Sequence, residues 1–430
     1  MRPIFFVAAL VLSVAGAVWH NPAAGGESTS PEPGGDLRLR DALSLVLARN
    51  PELSALSLAV HAHDAEVAQS GAWPNPELSF DLENTAGSGE FSGLERAEAT
   101  LALSQLIELG GKRGRRRDVS SRARDAAALD NDALHLDVAL EATRAFIAVL
   151  AAQEQASLAA RLVEVAEDTR VAVEAQVSAG AALRSESSRA RVAVETSRID
   201  LELAERELRT VRNRLASLWG TPEARFARAV GSLEEMATTL PPMDVLFERV
   251  ERTPDVSRWE TEAQRLRSRA QLERASRVPD LRLAAGVRRI NDADETAFVF
   301  GVSTPLGLFD RRAQAARSVE RWAEQAAGHG RAASLRNRRE LVAASETLAG
   351  AHLEATRLRD VVLPEAQIAA DESSDAYRAG RTALTDVLDA QRTLFQLKSR
   401  YTNALARYHT AVAEVERLTG EPVAGLEETR

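Results

Sequence analysis

The sequence predicts a mainly α-helical fold of long coiled-coil hairpins in two copies, joined to four strands of the kind that build a membrane β-barrel. Three observations predict it. Asp375 to Arg392 (DAYRAGRTALTDVLDAQR) repeats the layout of Ala175 to Val192 (AQVSAGAALRSESSRARV), so that Gly380, Asp386 and Ala390 stand 200 positions after Gly180, Glu186 and Ala190. A lone glycine that tolerates positive φ can close one helix and let the chain reverse. Arg115 to Ala179 runs for 65 residues without glycine or proline, enough at 1.5 Å per residue for a rod of roughly 100 Å. Finally, four stretches alternate apolar and polar residues, the period of a strand with one greasy face.

In chain order, residues 1–17 read as an export signal: Arg2, an apolar run from Ile4 to Val14, then Ala15-Gly16-Ala17 as a small-residue cleavage site. The run falls short of the roughly 18 to 20 residues that cross a bilayer. Residues 18–36 are a flexible Pro/Gly/Ser linker. The first structural repeat, 37–220, begins with helices broken at Asn50-Pro51. Two strands follow at about 77–84 and 96–106, with Leu78, Phe80 and Leu82 opposite Ser79, Asp81 and Glu83, and then the hairpin. Residues 221–244, with Pro222, Pro241 and Pro242, link the halves across the equator. The second repeat, 245–420, carries strands at about 280–290 and 296–304, and 421–430 is a polar tail. Pro364 is expected to kink the second long helix, and Gly328, Gly330 and Gly350 to weaken it. The return segment Ala181 to Trp219 and the leading helix Asp41 to Ala72 together match the length of the unbroken rod, so the economical arrangement stacks them end to end beside it. Tyr401, Leu405, Tyr408, Val412 and Val415 keep a heptad seam.

Composition narrows the function. A formal net charge of -9 opposes nucleic-acid binding, and the absence of cysteine removes disulfides, thiolate metal sites and a lipidated N-terminal cysteine. His61 and His63 are two apart, so on a helix they point to different faces and read as solvated or packing residues. Leu109 to Arg117 holds five basic residues, but lacks the first glycine and the Ser or Thr of a P-loop. It reads as a strand-to-helix turn with basic side chains at a membrane-water boundary. No spaced catalytic motif occurs, and no cofactor is implied, so the chain is read as a non-enzyme. With no second stretch approaching a membrane helix, membrane residence requires a β-barrel. Four strands cannot close one, since the smallest have about eight, so closure needs several chains. An ordinary two-sided sheet capping a helical domain gives the same alternation. An exported structural coiled coil without a pore is the reading from another class, although such a protein has no use for the strands.

The doubled tips, above all Tyr377-Arg-Ala-Gly380 with Thr385-Asp-Val-Leu-Asp389, and the two strand-to-helix turns, Leu109 to Arg117 and its partner Leu308-Phe-Asp-Arg-Arg312, make the chain resemble the outer-membrane efflux proteins of the TolC type. The resemblance covers essentially the whole mature sequence. Ile107-Glu-Leu-Gly-Gly-Lys-Arg113 is most similar to the branch serving heavy-metal efflux, typified by the CzcC and CusC proteins. The resemblance implies a homotrimer in outer-membrane lipid of a Gram-negative bacterium, with a twelve-stranded barrel continuous with a twelve-helix periplasmic tunnel. It implies two partners, a periplasmic adaptor (membrane fusion) protein and an inner-membrane pump of RND type. The chain would then be a passive exit duct for heavy-metal cations, with drug efflux and type I protein secretion as alternative uses of the same fold.

Carried over residue by residue, Tyr377, Asp386 and Asp389 match the family's aperture tyrosine and aspartates. Ser185 and Glu186 stand where the first tip usually has threonine and aspartate. Thr382 occupies the place of a gating arginine in some members, with Arg381 adjacent. Ala179, Gly180, Ala181, Ala379, Gly380 and Arg381 are the expected adaptor-docking surface. Asp386 and Asp389, three apart, share a helix face, and a hydrogen bond from Tyr377 is expected to help hold such a carboxylate ring. Helix capping and a solvated charged face account for the same residues without the family.

Overall fold

The computed structural model describes residues 34–85, 87–236, 242–307, 309 and 312–421. The expected export signal, most of the linker after it and nearly all of the tail lie outside the described residues. The chain opens with β1 (Asp36–Arg38), α1 (Leu39–Arg49) and α2 (Pro51–Ser70), then β2 (Glu77–Glu83) and β3 (Glu98–Ile107). The first hairpin is α3 (Lys112–Ser178) and α4 (Arg184–Ser217). β4 (Arg228–Val230) and α5 (Met243–Glu251) lead to α6 (Pro254–Ala275), β5 (Leu281–Ile290) and β6 (Glu295–Ser303). The second hairpin is α7 (Ala313–Arg357), α8 (Leu363–Arg378) and α9 (Leu384–Thr419).

α3 is the spine, an uninterrupted helix of 67 residues. α2 and α4 both pack along it, and they meet at Asn50. Its side chain accepts from Glu52 N and Leu53 N at the start of α2, while its Nδ2 donates to Leu218 O beyond the end of α4 at 3.1 Å. Proline at the first position suits a helix start, and an Asn cap of this kind contributes about 1 kcal/mol. One side chain therefore ends one short helix and starts the next.

In the second repeat α6 and α9 both pack on α7. The glycines expected to weaken α7 do not break it, and the helix runs through Gly328, Gly330 and Gly350. Gly330 has a packing reason, because a Cβ there would lie 3.2 Å from Trp259 Cβ on α6. The small side chains Ala263, Ala270, Ala323 and Ala326 form the same helix contact with Leu266 and Val319. Nor does Pro364 simply interrupt the helix. Leu358–Val362 wind as a π turn ahead of it, with Leu363 N donating to Leu358 O. The wider turn accommodates a ring that would clash with the carbonyl four residues earlier.

The largest apolar core lies at mid-height, where Leu37, Val46, Phe146, Val149, Leu215, Trp219 and Phe226 are all buried. Here β1 and β4 pair in parallel, Leu37 opposite Ala229. Sequence reading placed β1 across the boundary between the first linker and the first repeat, and β4 within the inter-repeat linker, as three-residue strands are too short to show a period. A second core joins Leu246 and Val250 of α5 to Leu341 and Leu348 of α7 and to Tyr408, Val412 and Val415 of the heptad seam.

The four longer strands form one antiparallel sheet in the order β2-β3-β5-β6. Register sorts the side chains by face: Leu78, Leu103, Ala285 and Phe300 form one row, and Phe80, Leu101, Val287 and Phe298 the next. This face is bare, with Phe298 and Phe300 about four-fifths exposed. The other face carries Arg288, which donates to Glu98 Oε2 and Thr100 Oγ1, both at 2.9 Å, and Arg282, paired with Glu77. Gly286 is required where β5 meets β3, since a Cβ there would sit 2.6 Å from Leu101 O. β2 and β6 have no strand beside them on their outer edges among the described residues.

Candidate functional site

The site begins with two tips of the same construction. At the first, Ala179 N donates to Ala175 O, Gly180 N to Val177 O and Ala181 N to Gln176 O; at the second, Ala379 N, Gly380 N and Arg381 N donate to Asp375 O, Tyr377 O and Ala376 O. This pattern satisfies the last carbonyls of each outgoing helix, and it needs a left-handed residue to turn the corner. Gly180 and Gly380 supply it, with φ of 74° and 69°. Ala179, Gly180, Ala181, Ala379, Gly380 and Arg381 are all exposed in the single chain.

The tips are packed against one another by Val173, Ala190, Tyr377, Leu384 and Val387, all buried. Tyr377 threads between the two hairpins and donates its hydroxyl to Glu186 Oε2 at 2.9 Å. Burial first, and then this hydrogen bond, push the Tyr377 phenol up to about 12 from an ordinary value near 10. Since the folded value lies above the unfolded one, the contribution of the protonated phenol is complete below about pH 10 and is lost as pH rises through about 12. The latch is thus fully formed at physiological pH.

Sequence reading expected Tyr377 to reach the aspartate pair, and here the structure differs. Glu186 takes the hydroxyl, and Asp386 instead accepts from Thr382 Oγ1 at 2.5 Å. Asp386, Asp389 and Ser185 are exposed and Glu186 is half-buried, so the two aspartates lie on an open face of α9. The N-cap residues after the two tips, Leu183 and Ala383, make no side-chain cap, and Glu186 and Asp386 are the acids of the first turns that follow, where the helix N-terminus favours negative charge. Further up, Gln391 Nε2 donates to Thr169 Oγ1 at 3.2 Å, tying α9 to α3. Among the described residues no three His, Asp or Glu side chains gather as a metal-holding group. His63 instead sits 2.8 Å from Glu66 on its own helix.

At the opposite end, the basic turn is more internal than its composition suggested. Lys112 is buried and its Nζ donates to Asp280 Oδ1 at 2.7 Å, while Leu109 N donates to the same oxygen at 3.0 Å. Arg116 pairs with Glu108, and Arg113 lies over the Trp73 ring at 4.6 Å. Asp280 opens the second repeat's strand pair, so Lys112 joins one repeat to the other where strands become helices. Neither Asp280 nor Glu108 was found from sequence, because both partners are fixed only by the fold.

The described helices include none long and apolar enough to cross a membrane. The model of the family described as "Outer membrane efflux protein" matches residues 42–221 and 247–421, one segment per hairpin. The chain belongs to the outer membrane efflux protein family. It is 32% identical over 389 residues to the cobalt-zinc-cadmium resistance protein CzcC of Cupriavidus metallidurans, covering 90% of this chain and 91% of that one. The nickel-cobalt-cadmium resistance protein NccC of Alcaligenes xylosoxydans xylosoxydans is 27% identical over 265 residues, 62% of this chain and 60% of that protein. The fold is that of the crystallised CusC, with a TM-score of 0.74 at 19% identity over 90% of this chain and 92% of the other. OprN, an outer-membrane channel, gives 0.73 at 18% identity over 89% of each chain. Family membership makes the chain an outer-membrane channel component and not an enzyme, as the sequence reading expected.

Proposed function

We propose that three copies of the chain close into one duct, a twelve-stranded barrel in the outer membrane continuous with a twelve-helix tunnel through the periplasm. The observation that carries this reading is the four-stranded sheet, open at β2 and β6, with bare apolar residues on one face and Glu77, Glu98, Arg282 and Arg288 on the other. A sheet edge left unpaired in hydrocarbon is costly, and pairing β6 of one copy with β2 of the next removes every edge. The bare face then meets lipid and the charged face lines water.

At the far end, Tyr377, Asp386, Asp389, Ser185 and Glu186 form the aperture, and the exposed small residues around Gly180 and Gly380 receive a periplasmic adaptor. The adaptor connects the duct to an inner-membrane pump of RND type, which supplies the energy. Heavy-metal cations are the cargo, a reading supported by CzcC, a protein named for cobalt, zinc and cadmium resistance, which matches nearly the whole chain. Selectivity belongs to the pump, since a water-filled conduit need not bind what passes through it.

Deleting the gene and measuring growth inhibition by zinc, cobalt, cadmium and a panel of drugs tests the cargo. Metal tolerance should fall and return with the intact gene, while drug tolerance stays unchanged. Unchanged metal tolerance with heightened drug sensitivity would contradict the metal reading.

A further inference from the structure

Two helix faces carry large apolar side chains that the single chain leaves open to solvent. On α4, Val192, Ile199 and Leu203 are 65%, 59% and 58% exposed; along α7, the π turn and α8, Leu353, Val361 and Ile368 are 60%, 50% and 51% exposed. Residues spaced this way make a continuous stripe, and a long apolar stripe marks a surface that is covered in the working protein. Each stripe lies opposite the face its helix buries, which is Ala190, Val194 and Ser197 on α4 and Ala370 and Tyr377 on α8. α4 packs on α3 and α8 packs on α9, so the stripes lie on the two outer flanks of the chain. The open sheet edges lie on the same flanks, because β2 follows the helix stacked on α4 and β6 leads into α7.

We infer that these stripes are the two halves of one seam between neighbouring copies, in which Val192 and Ile199 of one chain meet Ile368 and Val361 of the next. The inference rests on the trimer proposed above. The register follows from the tips. Val192 is 12 residues after Gly180 and Ile368 is 12 before Gly380; Ile199 and Val361 are each 19 from theirs. In antiparallel rods that end at one level, the two pairs stand at matching heights, about 18 and 28 Å above the glycines. Contact between the first flank of one copy and the second flank of the next is head-to-tail, the geometry that closes rings.

The π turn fits the same arrangement. Seven residues after Leu353, an unbroken α-helix would place Asp360 on the stripe, and a carboxylate facing Ile199 would be desolvated without a partner. The turn at Leu358–Val362 takes up one additional residue, so Val361 takes that place and Asp360 pairs with Arg359 at 2.7 Å instead. Pro364 thereby sets the phase of the seam.

The chain has no cysteine, so introduced pairs supply the only thiols. Full-length protein carrying Ile199→Cys with Val361→Cys, or Val192→Cys with Ile368→Cys, would be oxidised in membranes and run on non-reducing gels. Both matched pairs should give a disulfide-linked three-chain species. The crossed pairs Val192→Cys with Val361→Cys and Ile199→Cys with Ile368→Cys are about 10 Å out of register, beyond disulfide reach, and should give under about a tenth as much. Light scattering on reduced samples separates the outcomes. Unlinked matched pairs in protein that is still trimeric overturn the seam and leave the trimer standing, whereas a monomeric unsubstituted chain overturns both. Ile199→Arg gives a second readout: the trimer should dissociate at a lower temperature with helicity unchanged, and an unshifted dissociation temperature contradicts the seam.

Discussion

Tyr377 is the residue that holds the tips together, and its role depends on being both buried and hydrogen-bonded. Its ring fills the space among Val173, Leu384 and Val387, and its hydroxyl reaches an acid 191 positions earlier. Sequence could select Tyr377, Asp386 and Asp389, because a tip motif is local. It could not pair Tyr377 with Glu186, because that contact exists only once two hairpins are packed. Removing the hydroxyl in Tyr377→Phe costs about 1 kcal/mol of hydrogen bonding and leaves the ring's packing in place. In planar bilayers, Tyr377→Phe is expected to raise single-channel conductance by loosening the tips. Asp386→Asn with Asp389→Asn should remove block by multivalent cations added on the tip side, since the proposed trimer would bring six carboxylates round one axis and such a ring attracts cations. Block as strong in the double variant as in the native protein would place the constriction elsewhere.

At the scale of elements, the hairpins were legible because a 65-residue stretch without glycine or proline admits few other structures. The strands were legible because alternation persists for seven to ten residues. What stayed hidden was set by contacts between elements: the β1-β4 pair, the Asn50 joint and the Lys112-Asp280 tie. The close packing of Gly330 against Trp259 was hidden for the same reason, since propensity counts a helix glycine only as a loss of about 1 kcal/mol. Ala179 and Ala379 are exposed and small, and a helix end without bulk permits close approach by another coiled coil. Ala379→Glu, or Ala179→Glu, should abolish metal tolerance while membrane levels and trimer yield stay as in the native protein. Full tolerance in both variants would show that the adaptor docks elsewhere.

Over the whole molecule, a single chain is an incomplete object. Its sheet has two open edges, one face of that sheet is apolar and bare, and both helical flanks expose apolar stripes. A head-to-tail ring of identical copies would cover the edges and the stripes at once, and would leave the apolar sheet face turned outward to lipid. Sequence indicated the need for several chains from strand number alone, but the sides on which they join required the order β2-β3-β5-β6 and the faces of α4 and α8. Whether three copies close one continuous duct can be seen by cryo-electron microscopy of the purified full-length protein in lipid nanodiscs. The expected image is a threefold ring with twelve strands inside the disc and a twelve-helix rod roughly 100 Å long projecting from one side. Particles of a single chain, a ring of another order, or a sheet lying outside the lipid would contradict it.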